Sequence, residues 1–553
     1  MGADGPQRAA AWGAASAENG RRQRTPAAMP TSAAQASHVE YVRRQPELTA
    51  QHQIVREHWP AFERFVRGAN EGRGLPAFVG KAFRAYVDCG QLSRGFIRVR
   101  CDGCGNDQFV AFSCKRRGIC PSCDGKRMTE GAAHLVDSVL PPVAYRQWVL
   151  TVPFGLRYLL AWNSELRTAV LNAFLRAVES FYRRGAKLDG YANGHCGAIS
   201  VLQRFDSSLR CAPHWHVLFG DGVWIPRKDG TPWFLPAVPL REGDVAVVLA
   251  DAERRIWRQV ERLGWTDRDD DPLRDRDPAL AACLQASLWN RAAEGGPVGS
   301  AIVKQRGAKP DAADAKAKGS NCAVLDGFSL HAHTRVGKLA RTQLEELCRY
   351  LLRPGVPAKR ISLTEDGRIK VDLKTQWKDG TRSILLKPHD FMVRLAALIP
   401  LPRHAIQRYH GIFAPNSRLR GAIVPAGAEP STSRRRAMAK ERANAAEPVD
   451  FSPEAIARAV ERTSSRMAWS EAWKRAFGRD ILACGCGGRK RVIAVIQAGP
   501  VVDRILAHLG LPVTAEDFVE IRGPPDEVWP VDDESVDAAN DDGVDLPFFD
   551  DVA

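Results

Sequence analysis

The chain has 553 residues, of which 44% are hydrophobic, so it is long enough for several folded domains. Its formal net charge of +15 favours a polyanionic partner such as nucleic acid. The sequence contains no run of about 18 apolar residues and no apolar block of a signal peptide, which argues against a membrane-spanning or secreted protein.

The N-terminal part of the chain changes character near residue 45. Residues 1–45 are rich in Ala, Arg and Gln, and we expect them to be disordered. The folded part begins with a helical segment at 51–70, which we expect Pro60 to interrupt. The thirteen cysteines are clustered, which indicates metal ligands in a reducing compartment and not a small disulfide scaffold.

The stretch RCDGCGNDQFVAFSCKRRGICPSCDGKRM contains two CxxC pairs. Cys101 and Cys104 are separated by fifteen residues from Cys120 and Cys123. Two pairs at this spacing are typical of one tetrahedral zinc site, and buried cysteines without metal are the less favoured alternative. Because four thiolates leave no position for water, we expect this zinc ion to be structural and not catalytic.

Two further cysteines and five cations lie in or near the same stretch. Cys89 and Cys114 are additional sulfurs that could replace a member of either pair. The cations suit contacts with a nucleic-acid backbone, and a solvated basic face is the alternative. These cations are Lys115, Arg116, Arg117, Lys126 and Arg127. We therefore predict a helical, zinc-binding and DNA-binding domain over 46–140.

Residues 141–424 show the alternating pattern of an α+β domain. We expect strands at 145–153, 197–205, 211–224 and 327–336, helices at 156–184 and 342–353, and a hairpin at 360–374. Asp366 and Gly367 supply the turn of that hairpin. Charged or Ala/Lys-rich insertions occupy 267–277 and 307–319.

The C-terminal part is divided by composition. We expect a basic linker at 425–450, a small helical unit at 451–512 and an acidic disordered tail at 513–553. Residues 526–553 contain eleven Asp and Glu and no Lys or Arg, which leaves the rest of the chain with a net charge of +26. Cys484 and Cys486 have no second pair nearby, so they form only an incomplete set of ligands for a second metal site.

The stretch CAPHWHVLFGDGVW places two histidines one residue apart in an apolar strand. Because strand residues alternate between faces, His214 and His216 share one face and Trp215 points to the other. Such a pair can hold one divalent metal ion with a further ligand from a neighbouring strand. Gln203 is the first candidate for that ligand and His331 the second. Histidines with no metal, satisfied at the surface or in the core, are the alternative.

The stretch LEELCRYLLRPG predicts a helix with a tyrosine beside its buried stripe. The stripe consists of Leu344, Leu347, Cys348 and Leu351. Tyr350 lies to one side of it and can face a cleft, with Arg353 three residues on and Pro354 ending the helix. Such a tyrosine can attack a phosphodiester that a metal polarises, while the guanidinium neutralises the developing charge. A tyrosine packed on the helix flank is the alternative.

Taken in order, these motifs resemble those of the IS91 family of rolling-circle transposases, which are HUH (His-hydrophobic-His) endonucleases. The resemblance rests on CDGCG…FSCKRRGICPSC, QRFDSSLRCAPHWHVLFGDGV, GFSLHA, LCRYLLRPG and RYHGIFAPNSRLR, and it covers about residues 75–500. It implies a DNA transposase of a mobile insertion sequence, with an HUH-type antiparallel-sheet nuclease domain at 141–424. The implied location is the bacterial cytoplasm, in association with the nucleoid.

The resemblance also implies the roles of the site residues. His214 and His216 would be the metal ligands and Tyr350 the nucleophile that cleaves one DNA strand, leaving a 5′-phosphotyrosine link and a free 3′-hydroxyl. The implied partners are the single-stranded ends of the element and its target. The family uses Mg²⁺ or Mn²⁺, whereas two imidazoles alone would suit Zn²⁺ or Mn²⁺. Some relatives carry a second tyrosine where this chain has Glu346, so the chain resembles the single-tyrosine branch.

Two other functions fit parts of the sequence. A plasmid replication initiator or relaxase would use the same chemistry, but it would less naturally carry this cysteine-rich module. A zinc-dependent DNA-binding regulator would keep the module and lack catalysis. A nicking assay on single-stranded DNA separates the regulator from the enzymes.

Overall fold

The computed structural model describes residues 45–229, 231–266, 270–292, 303–306, 321–377, 379–424, 471, 474–475, 480 and 482–519. The predicted disordered N-terminus up to residue 44, the insertion at 307–319 and the basic linker lie outside these residues. So do most of 451–481 and the acidic tail beyond residue 519.

The described residues form helices and strands in alternation. The helices are α1 (Ala50–Ala69), α2 (Ala77–Val87), α3 (Pro121–Ser138), α4 (Phe154–Trp162), α5 (Ser164–Leu188), α6 (Asp244–Arg262), α7 (Pro272–Arg276), α8 (Pro278–Leu288), α9 (Arg341–Leu351), α10 (Pro388–Leu398), α11 (Arg420–Ile423) and α12 (Pro500–His508). Within the described part of the chain, no helix combines the length and the apolar composition needed to cross a bilayer.

The strands form four sheets. They are β1 (Gly95–Cys101), β2 (Asp107–Ala111), β3 (Tyr145–Thr151), β4 (Gly197–Phe205), β5 (Cys211–Gly220), β6 (Gly222–Pro226), β7 (Pro232–Pro236), β8 (Val303–Arg306), β9 (Cys322–Leu325), β10 (Phe328–His331), β11 (Arg335–Val336), β12 (Ile361–Leu363), β13 (Ile369–Asp372), β14 (Thr381–Leu386), β15 (Gln407–Gly411) and β16 (Lys490–Gln497). The sheet orders are β15-β4-β5-β3-β10-β9 with β11 beside β3, β16-β1-β2, β12-β13-β14-β8, and β6-β7.

The largest sheet has β5 at its centre. β5 pairs antiparallel with β4 on one side and with β3 on the other, and every residue of β5 is buried. The other pairings of this sheet are antiparallel as well. The predicted α+β class with an antiparallel sheet is confirmed, as are the strands predicted from 145, 197 and 211 onward.

The two faces of this sheet are covered by different helices. Trp215, Val217 and Phe219 point to one face, where they share a core with residues of α5 and α6. Leu218 and Ile199 point to the other face, where they pack with residues of α3 and α9. The histidines of β5 alternate with Trp215 and therefore project to the side of α3 and α9.

One predicted helix is divided into two in the structure. The single helix expected at 156–184 is two helices, because Asn163 separates α4 from α5. The side chain of Asn163 accepts hydrogen bonds from the backbone N–H groups of Glu165 and Leu166, so it caps α5. This cap begins a new helix directly after Asn163, which hydrophobic periodicity alone does not reveal.

Pro60 lies within α1 and does not interrupt it. A proline has no N–H to donate to the carbonyl four residues earlier, which here belongs to Arg56. The backbone N–H of Val519 donates to that carbonyl at 3.1 Å. The C-terminal segment thus satisfies the acceptor that Pro60 leaves open, and the helix continues.

Two other predicted elements can be compared with the structure. The predicted hairpin at 360–374 is confirmed: β12 and β13 pair antiparallel, and Gly367 in the turn has a φ of +76°. The helical unit predicted at 451–512 contains α12, but Lys490–Gln497 is a strand that joins β1. Its sequence KRVIAVIQ is rich in β-branched residues, which favour a strand.

A buried ion pair anchors the chain directly after β5. Asp221 accepts hydrogen bonds from Arg146 Nε at 3.0 Å, Tyr182 Oη at 3.0 Å and Arg335 Nε at 2.6 Å. These donors belong to β3, α5 and β11. One carboxylate therefore connects the strands β3 and β11 with the covering helix α5.

We predict that Asp221→Ala lowers the free energy of unfolding by about 3–5 kcal/mol, because Arg146 would stay buried without its counter-charge. Urea denaturation followed by circular dichroism measures the change. Asp229→Ala, at an exposed turn, is the matched control and should cost much less. An equal loss of unfolding free energy in the two variants would show that the buried ion pair contributes no more to stability than an exposed carboxylate does.

Candidate metal and nucleophile site

The two histidines of β5 direct the same ring atom toward each other. Nε2 of His214 and Nε2 of His216 lie 3.1 Å apart. Nδ1 of His214 lies 2.8 Å from the carbonyl oxygen of Ala212, to which it donates its proton. Nδ1 of His216 lies 2.6 Å from the side-chain amide of Gln147. Both rings are thus held at Nδ1, and both Nε2 atoms converge.

Both imidazoles are buried, and this sets their charge. Burial lowers the pKa of His214 to about 4, and the nearby Arg353 adds to the effect. Burial also lowers the pKa of His216 well below its usual range, with further contributions from His214 and Arg353. Neutral rings with a lone pair at Nε2 are the form that binds a metal ion.

Side chains on both neighbouring strands face the histidines. Thr151 on β3 and Gln203 on β4 are each the direct cross-strand partner of His214. Oγ1 of Thr151 and Oε1 of Gln203 are buried and lack a hydrogen-bond partner among the described residues. Two oxygen atoms able to act as ligands therefore lie on the strands beside the imidazoles, which gives a mixed nitrogen and oxygen donor set for a divalent metal ion.

The sequence indicated one of these oxygen donors and missed the other. Gln203 lies on the neighbouring strand, as expected. The sequence alone does not indicate Thr151, because its proximity to His214 depends on the register between β3 and β5. His331, the second candidate, lies on β10, which β3 separates from β5, and its Nε2 is 3.5 Å from Sγ of Cys322. The structure does not bring His331 to the histidine pair.

Tyr350 lies at the end of α9, beside His216. The centroids of the two rings are 5.7 Å apart and the rings are nearly perpendicular, at 83°. Gln203 Nε2 donates to the backbone carbonyls of Tyr350 and Leu351 at 3.1 and 3.0 Å, so the strand holds the last turn of the helix. The structure thus brings Tyr350, His214, His216 and Gln203 together.

Arg353 completes the group. Its guanidinium carbon lies 4.5 Å from the ring centroid of Tyr350 and 5.3 Å from that of Phe205. Burial raises the pKa of Tyr350, and the charge of Arg353 partly opposes that rise. At neutral pH the phenol therefore keeps its proton, and the guanidinium of Arg353 and the ammonium of Lys374, 5.7 Å from the ring centroid, both favour its ionised form.

A cavity of about 370 Å³ opens beside His214 and Arg353. Much of its wall comes from the loops that follow α9 and β13. Its charged lining is mainly basic and includes Lys359, Arg360 and Lys374. The aromatic ring of Phe205 forms another part of the wall. A cavity with cations and an aromatic face suits a strand of nucleic acid, through phosphate contacts and base stacking.

The structure corrects the expected grouping of the cysteines. Cys101 and Cys104 do not share a site with Cys120 and Cys123. The first cluster consists of Cys89, Cys114, Cys120 and Cys123. The second cluster consists of Cys101, Cys104, Cys484 and Cys486. The first CxxC pair lies at the turn after β1, whereas the second lies at the start of α3, and each pair meets a different partner pair.

The first cluster has the dimensions of a tetrahedral zinc site. Sγ of Cys89 lies 3.7 Å from that of Cys120 and 3.8 Å from that of Cys123, and Cys114 is 3.5 Å from Cys123. The edge of a tetrahedron with zinc–sulfur bonds of about 2.3 Å is about 3.8 Å. Four sulfurs close the coordination shell, so the cluster supports a structural zinc ion.

The five cations of this module lie at or near the protein surface. Lys115, Arg116, Arg117 and Lys126 are exposed, and Arg127 is half-buried. Some are engaged: Arg127 pairs with Asp124 at 2.8 Å, and Lys126 lies 3.6 Å from Glu130. Lys115 and Arg116 follow Cys114 directly, so their charges lie at the edge of the first cluster.

Comparisons with known families agree with this geometry. Residues 54–152 match the family described as a transposase zinc-binding domain, which includes the whole first cluster. Residues 197–420 match the family described as a putative transposase, which includes His214, His216 and Tyr350. Together the two matches span more than half of the chain. Neither a curated protein nor a solved structure gives a significant match.

We predict that Cys120→Ser releases zinc and lowers the melting temperature. The free energy of binding a structural zinc ion, roughly 10–16 kcal/mol in small domains, is also folding free energy. Zinc content and thermal unfolding measure the effect. Cys322→Ser, at a half-exposed cysteine outside both clusters, is the control. A Cys120→Ser protein with unchanged zinc content and melting would rule out this ligand.

Proposed function

Since this chain is a transposase of the IS91 type with an N-terminal zinc-binding domain, we propose that it cleaves and rejoins single-stranded DNA through Tyr350. The reaction serves the rolling-circle transposition of an insertion sequence, and the covalent intermediate is a 5′-phosphotyrosine. The observation that carries the proposal is the convergence of Tyr350 with His214 and His216: the ring centroids of Tyr350 and His216 lie 5.7 Å apart.

The donor set around the histidines supports a catalytic Mg²⁺ or Mn²⁺ ion. His214 and His216 would hold it through Nε2, with Gln203 and Thr151 as oxygen ligands. When bound, such an ion polarises the scissile phosphate and stabilises the charge that develops on it. The carbonyl of Ala212 accepts a hydrogen bond from Nδ1 of His214, which keeps the Nε2 lone pair of that ring available, and Gln147 holds the ring of His216 at Nδ1.

Tyr350 supplies the nucleophile. Its hydroxyl gives up its proton to solvent, the phenolate oxygen attacks the phosphorus as the bond to the 3′-oxygen breaks, and the released 3′-oxygen takes up a proton from solvent. The cleaved strand leaves with a free 3′-hydroxyl, and the 5′-phosphate stays on the tyrosine. Rejoining is the reverse attack by the 3′-hydroxyl of another strand end. Arg353 stabilises both the phenolate and the phosphate, because its guanidinium stacks on the ring and belongs to the cavity wall.

The shape of the site supports a preference for single strands. Tyr350 is only partly exposed, so a flexible single strand can bring a phosphate to its hydroxyl more readily than a stiff duplex can. Lys359, Arg360 and Lys374 would bind its phosphates, and Phe205 offers a face on which a base can stack. Glu346 lies one turn before Tyr350 on α9, at the position of the second tyrosine in some relatives, so one tyrosine carries the reaction.

We predict that Tyr350→Phe abolishes the covalent adduct while leaving affinity for DNA and metal unchanged. The reaction is measured on single strands that carry the ends of the element, with mass spectrometry of the trapped complex. Tyr409→Phe is the matched control, because Tyr409 lies on β15 in the same sheet and its hydroxyl accepts a hydrogen bond from Gln407 at 2.9 Å.

Three further outcomes test the proposal. The variant with both His214→Ala and His216→Ala should lose the response to Mg²⁺ or Mn²⁺ although Tyr350 is present. A nucleotide attached to Tyr409 would refute the assignment of the nucleophile. No adduct with any divalent ion on any strand carrying the ends of the element would favour a DNA-binding regulator instead.

We also predict a steep dependence of DNA binding on salt. If about six phosphates of a single strand are neutralised, the affinity should fall by roughly 300-fold between about 50 and 200 mM salt. For a single strand, Lys115→Ala should reduce the slope by about 0.7, the value of one phosphate contact. Lys228→Ala, an exposed cation on the β6–β7 hairpin, should leave the slope unchanged. An affinity independent of salt would contradict backbone recognition.

A further inference from the structure

The second cluster joins two parts of the chain that are far apart in sequence. Cys101 and Cys486 are separated by 385 positions, yet their Sγ atoms lie 3.5 Å apart. We propose that the second cluster binds a zinc ion of its own, and that this ion fastens the C-terminal segment, residues 482–519, to the N-terminal zinc module. The match to the zinc-binding family ends at residue 152, so it contains only half of these ligands.

The sulfur positions fit a zinc ion. Sγ of Cys104 and Sγ of Cys484 lie 3.7 Å apart, and all four sulfurs lie within 4.8 Å of one another. The edge expected for four sulfurs around zinc is about 3.8 Å. A set of four thiolates favours zinc over magnesium or calcium, which prefer oxygen ligands. Four protein ligands also fill the coordination shell, so the site is structural.

Two backbone turns bring the cysteines together. The N–H of Gly105 donates to the carbonyl of Cys101 at 3.0 Å in the first turn. In the second turn the N–H of Cys484 donates to the carbonyl of Gly488 at 2.9 Å, and the N–H of Gly488 lies 3.4 Å from Sγ of Cys486. A backbone N–H directed at sulfur stabilises a thiolate.

Glycines allow the two turns to approach each other. A Cβ atom at Gly488 would lie 2.9 Å from Sγ of Cys101, which is closer than such atoms approach. A Cβ atom at Gly103 would lie 3.3 Å from Sγ of Cys486. Each turn therefore has a glycine at the place where the other turn brings a cysteine. This complementarity is what a shared metal site requires.

The strand attached to this cluster buries little apolar surface. β16 pairs with β1 from Gly95 to Cys101, but Val492, Ile493 and Val495 are 54%, 46% and 50% exposed. Beyond β16, a small core of α12 residues packs on Leu92 and Phe96. Because so small a core contributes little stability, the segment depends on a further attachment, which the metal provides.

The fastened segment continues to α1. Glu516 forms an ion pair with Arg56 at 2.5 Å, and the N–H of Val519 donates to the carbonyl that Pro60 leaves open. The ring of Phe518 stacks on Trp59 with centroids 6.0 Å apart. The second ion therefore holds one end of a segment whose other end completes α1. It makes the N-terminal module and the C-terminal segment a single folded unit.

Zinc counting on the purified full-length chain tests the metal. We expect two zinc ions per chain in the wild type and one in Cys486→Ser. The double variant Cys104→Ser with Cys486→Ser should also keep one, because both cysteines belong to the same site. Cys322→Ser should keep two. A single ion in the wild type, or two in Cys486→Ser, would overturn the second site.

Hydrogen exchange tests the fastening, and it does not depend on DNA cleavage. In Cys486→Ser the amides of Lys490–Gln497 should exchange faster by roughly tenfold or more, while those of β5 stay protected. Cys486→His supplies a different zinc ligand and should restore both the second ion and the protection. Unchanged exchange in a chain that has lost one zinc would refute the structural role of the ion.

Discussion

The pairing of β5 with β3 and β4 is the interaction on which the candidate site depends. A central strand buried on both faces cannot place two imidazoles in apolar surroundings without partners, because unpaired polar groups are costly there. The register supplies these partners: Gln147 and the carbonyl of Ala212 engage Nδ1, and Thr151 and Gln203 lie opposite His214. A shift of one residue would turn both histidines into the opposite core.

Tyr350, the proposed nucleophile, reaches this sheet through packing at both ends of α9. Arg341, at the start of the helix, donates to the carbonyl of Leu140 at 2.9 Å beyond the end of α3. Leu344 and Leu347 bury the apolar stripe against the sheet. At the other end, Gln203 donates to the carbonyls of Tyr350 and Leu351. The same glutamine thus borders His214 and fixes the helix end that carries Tyr350.

Local periodicity was enough to predict much of this site. Strand alternation predicted that His214 and His216 share one face of the sheet. The apolar stripe of α9 predicted that Tyr350 lies to one side of that stripe, where it can face a cleft. The cysteine grouping was wrong because a CxxC spacing specifies a pair but not its partner pair. Cys484 and Cys486 meet Cys101 and Cys104 only through the pairing of β1 with β16. The sequence also did not indicate that α1 is continuous through Pro60, because the hydrogen bond to the carbonyl of Arg56 comes from Val519, which is far away in the sequence.

The cysteine clusters and the histidine pair suit the two different uses of metal ions that we propose for this chain. Four thiolates leave no open position, so a zinc ion there can only join segments. Two neutral imidazoles with the oxygens of Thr151 and Gln203 leave room for a phosphate, and they lie beside a basic cavity. The cysteines come from turns at the ends of strands and from a helix start, whereas the histidines come from a central strand that is buried at every residue. The histidine pair is thus fixed by the centre of the sheet, and the thiolate clusters lie where separate segments have to be held together.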